Sequence, residues 1–316
     1  MRAYRTVSCS VTGYRKMVDA LPCEDSTRVV HTKTGTILAV ADGHGDKRCL
    51  FATVGSRMAT KAATNVLRRY LNAVKGDASV YWNSLRDEIA KDIAKAFACY
   101  VIDDYRIRCK DRITYQEASE LQRHISEYFQ NIGEAMTPNE IREKYIYKKR
   151  LNERICSILF LYGTTVRATV LTDSYLFNCA LGDGDTIAII DDRVEWLLPK
   201  SEAYDCETTS LCEPIETVIE SFVFSFIQCR SLLDLEDSKI SDTSVCVSSV
   251  LLSTDGFRNS FFSQCVFEKK IIDLLRSAQS NIKTLKRCKL KTLYEKLSME
   301  SVFQDDISTI IAIRTE

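Results

Sequence analysis

Five aspartates stand at the ends of apolar runs or in the turns beside them, where their carboxylates could bind metal ions. The segments LAVADGHG, NCALGDGD and LLSTDGF each place an apolar run, then an aspartate, then a glycine. The five residues are Asp25, Asp42, Asp183, Asp255 and Asp305. Carboxylates that converge at one edge of a fold repel one another, so a positive charge must neutralise them. Because all the ligands are oxygens, Mg²⁺ or Mn²⁺ would suit such a site.

Two cations held together by a bridging carboxylate, about 3.5–4 Å apart, can deprotonate a shared water near neutral pH. His44 follows Asp42 by two residues, and a histidine there could donate a proton to a leaving group on the opposite side. A single Asp-Gly pair is more often a plain turn. The prediction therefore depends on several such turns, with a histidine inside one of them.

Short strands must precede these turns, and the sequence supplies them. Apolar, β-branched, turn-bounded runs predict strands at 34–42, 155–165, 166–173, 174–185, 186–192, 220–226, 244–256 and 305–313. A loop is predicted at 199–216. The crowding of short strands in the second half of the chain is typical of an antiparallel meander.

Helical spacing predicts the remaining elements at 47–74, 80–108, 262–279 and 284–298, with two further helices in 110–153 joined near 133–139. Strand runs flanked by helix runs indicate an α+β sandwich. No repeat or linker divides the chain, so we expect a single domain over 1–316. The charged helical segment at about 100–155 could be an ordinary layer of the sandwich or a lid or docking surface.

The composition excludes several functional classes. The 316 residues contain 43 basic and 43 acidic side chains, and zero net charge gives no general attraction to nucleic acid or to an anionic membrane. The 13 cysteines include no Cys-x-x-Cys pair, which favours free thiols in a reducing cytoplasm over zinc binding or disulfides. No apolar run approaches the roughly 18 residues that span a bilayer. We expect a cytoplasmic monomer.

Six motifs, taken in order, resemble those of the protein phosphatase 2C family of metal-dependent serine/threonine phosphatases. They are PCEDS (22–26), VADGHG (40–45), YGTT (162–165), ALGDGD (180–185), LLSTDGF (251–257) and DDIST (305–309). TTSLCEP (208–214) is similar to a loop of a bacterial-type branch of the family. The resemblance implies a β-sandwich of two antiparallel sheets flanked by helices on both faces, a four-layer αββα fold.

The resemblance also implies a metal centre for Mn²⁺ or Mg²⁺. Asp42 would bridge two ions, and the Gly43 backbone carbonyl would bind the second. Asp255 and Asp305 would complete the ligands of the first ion. Asp183 lies where the family has an acid linked to a third, weaker ion.

Three further roles follow from the same resemblance. Glu24 and Asp25 would hold metal-bound waters. His44 would be the general acid that protonates the serine or threonine oxygen as it leaves, and Asp42 would share in catalysis through the ions. The partner implied is a phosphorylated protein.

The match departs from the family in two places. Many members have a phosphate-binding arginine five residues before the first motif's aspartate, and that position is Ala20 here. Arg15 or Lys16 could bind the phosphate instead. Gly184 replaces the serine of the family's Gly-Asp-Ser turn, which matters little for the two main ions.

Three functions therefore stay open at this point. The first is a phosphatase that hydrolyses phosphoserine and phosphothreonine with a metal-activated bridging water. The second is a catalytically weak or silent phosphatase-like binding module, which the alanine at position 20 supports. The third is another metal hydrolase, such as a nuclease or a small-molecule phosphohydrolase. His31 and His124 lie outside every motif, and we interpret them as structural or surface residues.

Overall fold

The computed structural model describes residues 4–110, 112–130, 150–199, 208–230, 245–280 and 287–315. Two antiparallel five-stranded sheets face each other. The first has the order β1-β10-β9-β6-β7, with strands β1 (Tyr4–Val11), β6 (Asp185–Ile190), β7 (Arg193–Trp196), β9 (Val247–Ser253) and β10 (Ile307–Arg314). The second has the order β2-β3-β4-β5-β8, with strands β2 (Ser26–His31), β3 (Thr36–Ala41), β4 (Val166–Leu171), β5 (Tyr175–Leu181) and β8 (Val223–Gln228).

Helices cover the outer face of each sheet. Those on the side of the second sheet are α2 (Ala52–Ala73), α3 (Ala78–Ser84), α4 (Arg86–Arg108), α5 (Tyr115–Gln130), α6 (150–160) and α7 (Ile215–Ser221). On the first sheet lie α9 (Gln264–Ser280) and α10 (Arg287–Glu300). The short helices α1 (Tyr14–Val18) and α8 (Asp255–Asn259) lie at one edge of the sandwich. The predicted four-layer αββα fold is confirmed.

Three apolar layers hold the sandwich together. Side chains such as Leu38, Val40, Leu252 and Ile310 fill the space between the two sheets. One outer layer joins the second sheet to its helices, and another joins the first sheet to α9 and α10. Strand β3 is buried along its whole length because both of its faces meet apolar layers, which is why its sequence does not alternate.

Several predicted boundaries were wrong. Residues 155–160 belong to α6, not to a strand. Residues 215–221 form α7, in place of part of the predicted loop and the start of a strand. Leu85 divides the predicted helix 80–108 into α3 and α4, and α2 begins at Ala52, after a turn.

The charged segment at 100–155 consists, where the structure describes it, of the end of α4, a turn and coil over 109–110 and 112–114, helix α5 and the start of α6. Helix α5 begins with a capping box, in which Glu117 Oε2 accepts from Thr114 N at 2.8 Å and Thr114 Oγ1 accepts from Glu117 N at 3.2 Å. Leu121 and Ile125 of α5 are buried against the outer core of the second sheet. The predicted junction near 133–139 lies outside the described residues.

Candidate metal centre

The strand pairing brings the predicted acids to one edge of the sandwich. Asp25 precedes β2 and Asp42 follows β3, and the register pairs Ser26 with Ala41 beside them. Asp183 lies in the turn before β6, and Asp255 opens α8 just after β9. Carboxylate oxygens of Asp42, Asp183 and Asp255 lie within 4.8 Å of one another.

Burial and mutual repulsion raise the pKa values of these acids. The pKa of Asp42 is well above its ordinary value because of burial and the charges of Asp25 and Asp255. The pKa of Asp25 is also well above its ordinary value, because of burial and the charge of Asp306. Burial and the charge of Asp255 raise the pKa of Asp305 to about 6, and the same two causes raise the pKa of Asp183.

Two buried oxygens of the cluster, Asp25 Oδ1 and Asp255 Oδ1, have no hydrogen-bond partner within the described part of the chain. Unpartnered buried carboxylate oxygens are costly. An all-oxygen donor set with unsatisfied, mutually repelling carboxylates fits a hard divalent cation. The residues present are therefore suited to hold such an ion.

Hydroxyl and amide groups orient the other oxygens of the same acids. Thr254 Oγ1 donates to Asp25 Oδ2 at 2.8 Å, and Asn259 Nδ2 donates to Asp255 Oδ2 at 2.9 Å. Thr208 Oγ1 donates to Asp183 Oδ2 at 2.8 Å, so the TTSLCEP segment reaches the centre. The sequence analysis did not identify these two threonines and this asparagine. A threonine or asparagine gives no local signal of the acid to which it will be hydrogen-bonded in the fold.

The Gly-Thr-Thr motif fixes the backbone of Asp42. Thr164 Oγ1 donates to the Asp42 carbonyl oxygen at 2.7 Å, and Thr165 N donates to the same oxygen at 2.9 Å. Asp42 N donates to Thr165 Oγ1 at 3.1 Å. Gly43 forms an isolated bridge with Thr164, and a Cβ on Gly43 would lie 2.6 Å from the Glu24 carbonyl oxygen. Only glycine fits that close approach.

His44 packs against the same motif. Its backbone N–H donates to the Gly163 carbonyl oxygen at 3.0 Å, and a Cβ on Gly163 would lie 2.7 Å from His44 Cδ2. Burial lowers the pKa of His44, and the nearby charges of Asp255 and Asp46 oppose that shift. A side chain at position 163 would therefore displace the His44 ring or the Cys49 sulfur.

Lys16 enters the acidic centre as an ion-pair partner. Its Nζ lies 2.6 Å from Glu24 Oε2 and 2.8 Å from Asp306 Oδ2. Burial favours the neutral lysine, but the charges of Asp306 and Glu24 outweigh it and raise the pKa of Lys16. Arg15, the other predicted phosphate-binding residue, is exposed on α1.

Asp306, which sequence reasoning missed, anchors the segment before Glu24. Its Oδ1 accepts from Gly13 N at 2.6 Å, and its Oδ2 accepts from Glu24 N at 2.7 Å and from Lys16 Nζ. The side chain is almost fully buried. The two acids of DDIST thus have different roles. Asp305 adds to the group of carboxylates, whereas Asp306 accepts hydrogen bonds from backbone amides.

A second buried ion pair lies behind the cluster. Arg258 Nε donates to Asp185 Oδ2 at 2.9 Å, Arg258 Nη2 bonds to Asp185 Oδ1, and Trp196 Nε1 donates to the latter at 3.3 Å. Arg167 lies close by, and burial lowers its pKa to about 10 against the charges of Asp185 and Asp183. The pair joins the turn that contains Asp183 to the helix that begins with Asp255.

The other two histidines lie away from these acids. His31 ends β2 at the opposite end of the strand from Asp25, with Nδ1 3.1 Å from Thr36 Oγ1. His124 is buried between α5 and α6, with Nε2 2.9 Å from Asn152 Oδ1. Both have structural hydrogen bonds.

Solved structures similar to this chain include bacterial serine/threonine phosphatases. PstP/Ppp of Mycobacterium tuberculosis matches with 12% identity and a TM-score of 0.54 over 99% of each chain. Stp1 of Staphylococcus aureus matches with 13% identity and a TM-score of 0.53, over 100% of this chain and 96% of the other. The catalytic domain of PstP in complex with two manganese ions matches with 13% identity and a TM-score of 0.51, over 99% of each chain. At these identities the likeness shows the fold alone.

Two further comparisons bear on the class of protein. A search of curated proteins finds no significant match. In the described part of the chain, no helix has the length and apolar character needed to cross a membrane. The family model described as protein phosphatase 2C matches residues 12–294, and the chain therefore belongs to the protein phosphatase 2C family of serine/threonine phosphatases.

Proposed function

We propose that this chain is an active metal-dependent phosphoprotein phosphatase that hydrolyses phosphoserine and phosphothreonine. The observation that carries the proposal is the convergence of Asp42, Asp183 and Asp255, whose oxygens lie within 4.8 Å of one another. Family membership supplies the reaction class. The manganese-bound PstP structure supports the choice of Mn²⁺ or Mg²⁺.

The residues that would hold the ions are those of the acidic cluster and its neighbours. Asp42 would be shared by two ions, the Gly43 carbonyl oxygen would contribute to one of them, and Asp255 and Asp305 would contribute to the other. Glu24 and Asp25 would hold ion-bound waters, and Asp183 would contribute to a weaker third ion. When bound, such ions would supply a water made acidic enough to act as the nucleophile near neutral pH.

The protein itself supplies the remaining groups. Thr164, Thr165 and Thr254 hold Asp42 and Asp25 in place through the hydrogen bonds described above. His44, packed on Gly163 beside Asp255, donates a proton to the leaving serine or threonine oxygen. The exposed Arg15 is the better candidate for binding the phosphate, because Lys16 is already paired with two acids.

Hydrolysis of para-nitrophenyl phosphate and of a phosphothreonine peptide, with Mn²⁺ or with EDTA, tests this proposal. We expect turnover with Mn²⁺ only. Asp42→Asn should lower kcat by at least about 10³-fold, since one substitution removes a ligand shared by both ions. Asp273→Asn, an exposed acid in the middle of α9, is the matched control and should keep full activity. Full activity of Asp42→Asn would show the assignment to be wrong.

A second function, a silent phosphatase-like binding module, is favoured by one observation. Ala20 stands at the position where an arginine is expected, and Lys16 is committed to Glu24 and Asp306. Such a module would bind Mn²⁺ in a calorimetric titration and yet hydrolyse neither substrate. Faster turnover of nucleotides than of the phosphopeptide would favour another phosphohydrolase instead.

We further propose a cytoplasmic signalling role as a monomer. The cysteines support the cytoplasmic part of this proposal, since they are free thiols in every described position and free thiols suit a reducing compartment. Light scattering of the purified chain and localisation of a tagged copy would test the two parts separately.

A further inference from the structure

Exposed apolar side chains cluster on three segments beside the candidate metal centre. They are Met17, Val18 and Leu21 in and after α1, Phe262 after α8, and Val302 and Phe303 after α10. Phe262 is 87% exposed and Val302 is 81% exposed. Single exposed apolar residues are ordinary, but a group of them on adjoining segments marks an interaction site. We name these six residues the apolar rim.

Hydrogen bonds tie the three segments to one another. Ser298 Oγ accepts from Tyr14 N at 2.8 Å and donates to the Asp305 carbonyl oxygen at 3.0 Å. Ser301 Oγ donates to the Asn259 carbonyl oxygen at 3.2 Å. A Cβ on Gly13 would lie 2.4 Å from the Gln304 carbonyl oxygen, so the start of α1 touches the end of the α10 segment. The three segments that carry the apolar rim therefore pack against one another.

The same three segments carry acids of the centre. Leu21 precedes Glu24 by three residues, and Phe303 precedes Asp305 by two. Phe262 follows α8, which begins at Asp255. A chain that presents a phosphate to these acids must pass over the surface beside them. The apolar rim thus belongs to the same segments as the acids to which the proposed substrate binds.

The charges of this surface add a second argument. Position 20 holds alanine, and Lys16 pairs with Glu24 and Asp306, so part of the basic charge in this segment is already neutralised. Arg15 remains for the phosphate, and further binding energy for the rest of a phosphopeptide must come from uncharged contacts. Burial of apolar side chains is the contact that this surface offers.

We infer that the apolar rim binds apolar side chains of the phosphoprotein substrate next to the phosphorylated residue. The preferred substrate is a phosphoserine or phosphothreonine in an extended segment flanked by leucine-like residues. This inference rests on the proposed phosphatase function and specifies its substrate class.

Two peptides of equal length and charge test the inference. Both contain one phosphothreonine; in one it is flanked by leucines, and in the other by glutamines of similar size. With Mn²⁺ we expect kcat/KM to be about five- to tenfold higher for the leucine peptide, the ratio that partial burial of a leucine side chain gives. Phe303→Ser and Phe262→Ser should bring the ratio close to one. Val80→Ser, an exposed apolar residue on α3, should leave it unchanged.

The ratio of the two kcat/KM values is measured within one variant. A general loss of activity or of folded protein lowers both values equally and does not change their ratio. Equal kcat/KM for the two peptides in the wild type would overturn the inference while leaving the phosphatase function intact. No hydrolysis of either peptide or of para-nitrophenyl phosphate would overturn both. Equal kcat/KM together with a dimer that Phe303→Ser dissociates would assign the apolar rim to a second copy of this chain.

Discussion

Lys16 brings a positive charge into the acidic centre, where it pairs with Glu24 and Asp306. Asp306 is almost fully buried and accepts two backbone N–H groups as well. Its negative charge therefore depends on Lys16 for compensation, since a buried carboxylate without a cation is unfavourable. This gives the lysine a structural task, separate from the phosphate contact that its charge alone suggests.

Lys16→Met should lower the free energy of unfolding by about 2 kcal/mol, because it leaves the Asp306 carboxylate buried without its cation. Urea unfolding in EDTA measures this. Arg15→Met, an exposed neighbour on the same helix, should change stability by less than about 0.5 kcal/mol and should raise KM for a phosphopeptide. Unchanged stability with a raised KM in Lys16→Met would identify Lys16 as the phosphate-binding residue.

His44 is expected to matter most for poor leaving groups. A serine or threonine alkoxide must be protonated as it leaves, whereas para-nitrophenolate leaves without that help. His44→Asn should therefore lower kcat for a phosphothreonine peptide by about 10²-fold and for para-nitrophenyl phosphate by only about threefold. Steady-state kinetics on both substrates measures the difference. An equal decrease on the two would indicate that His44 positions Asp42 and does not transfer a proton.

The convergence of the acids of the candidate site could be predicted from the sequence, but the residues that support them could not. Asp42, Asp183 and Asp255 each follow an apolar strand and precede a glycine. This pattern involves only neighbouring residues, so it can be recognised in the sequence. Asp306 and Thr254 act through partners up to 293 residues away in the chain, and only the folded register brings such residues together. Even so, the adjacent acids of DDIST were a usable signal for Asp306.

At the scale of elements, residues 155–160 show where periodicity misleads. The run ICSILF is apolar and short, so a strand and a buried helix are hard to tell apart. Ile155, Ile158, Leu159 and Tyr162 are all buried in the outer core of the second sheet, and their spacing of three, four and seven is helical. The charged residues directly before the run belong to the same helix. A prediction that treats the run as a separate strand ignores them.

The ion pair of Arg258 and Asp185 couples two elements that each carry an acid of the centre. Asp185 begins β6, directly after the turn of Asp183, and Arg258 lies in α8, which begins at Asp255. Asp185 pairs with Ser253 in the sheet, so backbone and side-chain bonds act together. The pair therefore fixes how far apart the two turns lie.

Arg258→Met should destabilise the chain by about 3 kcal/mol, since Asp185 stays buried and loses the cation that is hydrogen-bonded to it. A double-mutant cycle with Asp185→Asn should give a coupling energy of at least about 1.5 kcal/mol. Calorimetry should also show weaker Mn²⁺ binding in Arg258→Met, because Asp183 and Asp255 lose their common support. Arg69→Ala, which removes an exposed ion pair with Asp92 at 3.0 Å, should cost less than about 1 kcal/mol. A coupling energy near zero would show that the ion pair of Arg258 and Asp185 does not hold the two elements together.

For the molecule as a whole, the clustered acids of the candidate metal centre reduce the stability of the metal-free fold. The pKa values of Asp25, Asp42, Asp183 and Asp305 are all raised in the folded chain. In the absence of metal, the folded state therefore binds more protons than the unfolded state between the ordinary aspartate pKa and these raised values. Stability then falls as pH rises through that window, which for Asp305 extends to about 6.

Metal and mutation should relieve the same repulsion. In EDTA the wild type should be less stable at pH 7.5 than at pH 5, and Asp42→Asn should unfold about 2–4 °C higher than the wild type at pH 7.5 because one buried charge is gone. Mn²⁺ at about one hundred times its dissociation constant should stabilise the wild type by about 2.7 kcal/mol, and should stabilise Asp42→Asn far less. Thermal unfolding at both pH values, with and without Mn²⁺, measures all of these effects. Asp273→Asn is the control and should have the same unfolding temperature as the wild type in every condition. A lower unfolding temperature for Asp42→Asn than for the wild type in EDTA would contradict the prediction. It would mean that the Asp42 carboxylate stabilises the metal-free fold and that repulsion is not the dominant effect at this edge of the sandwich.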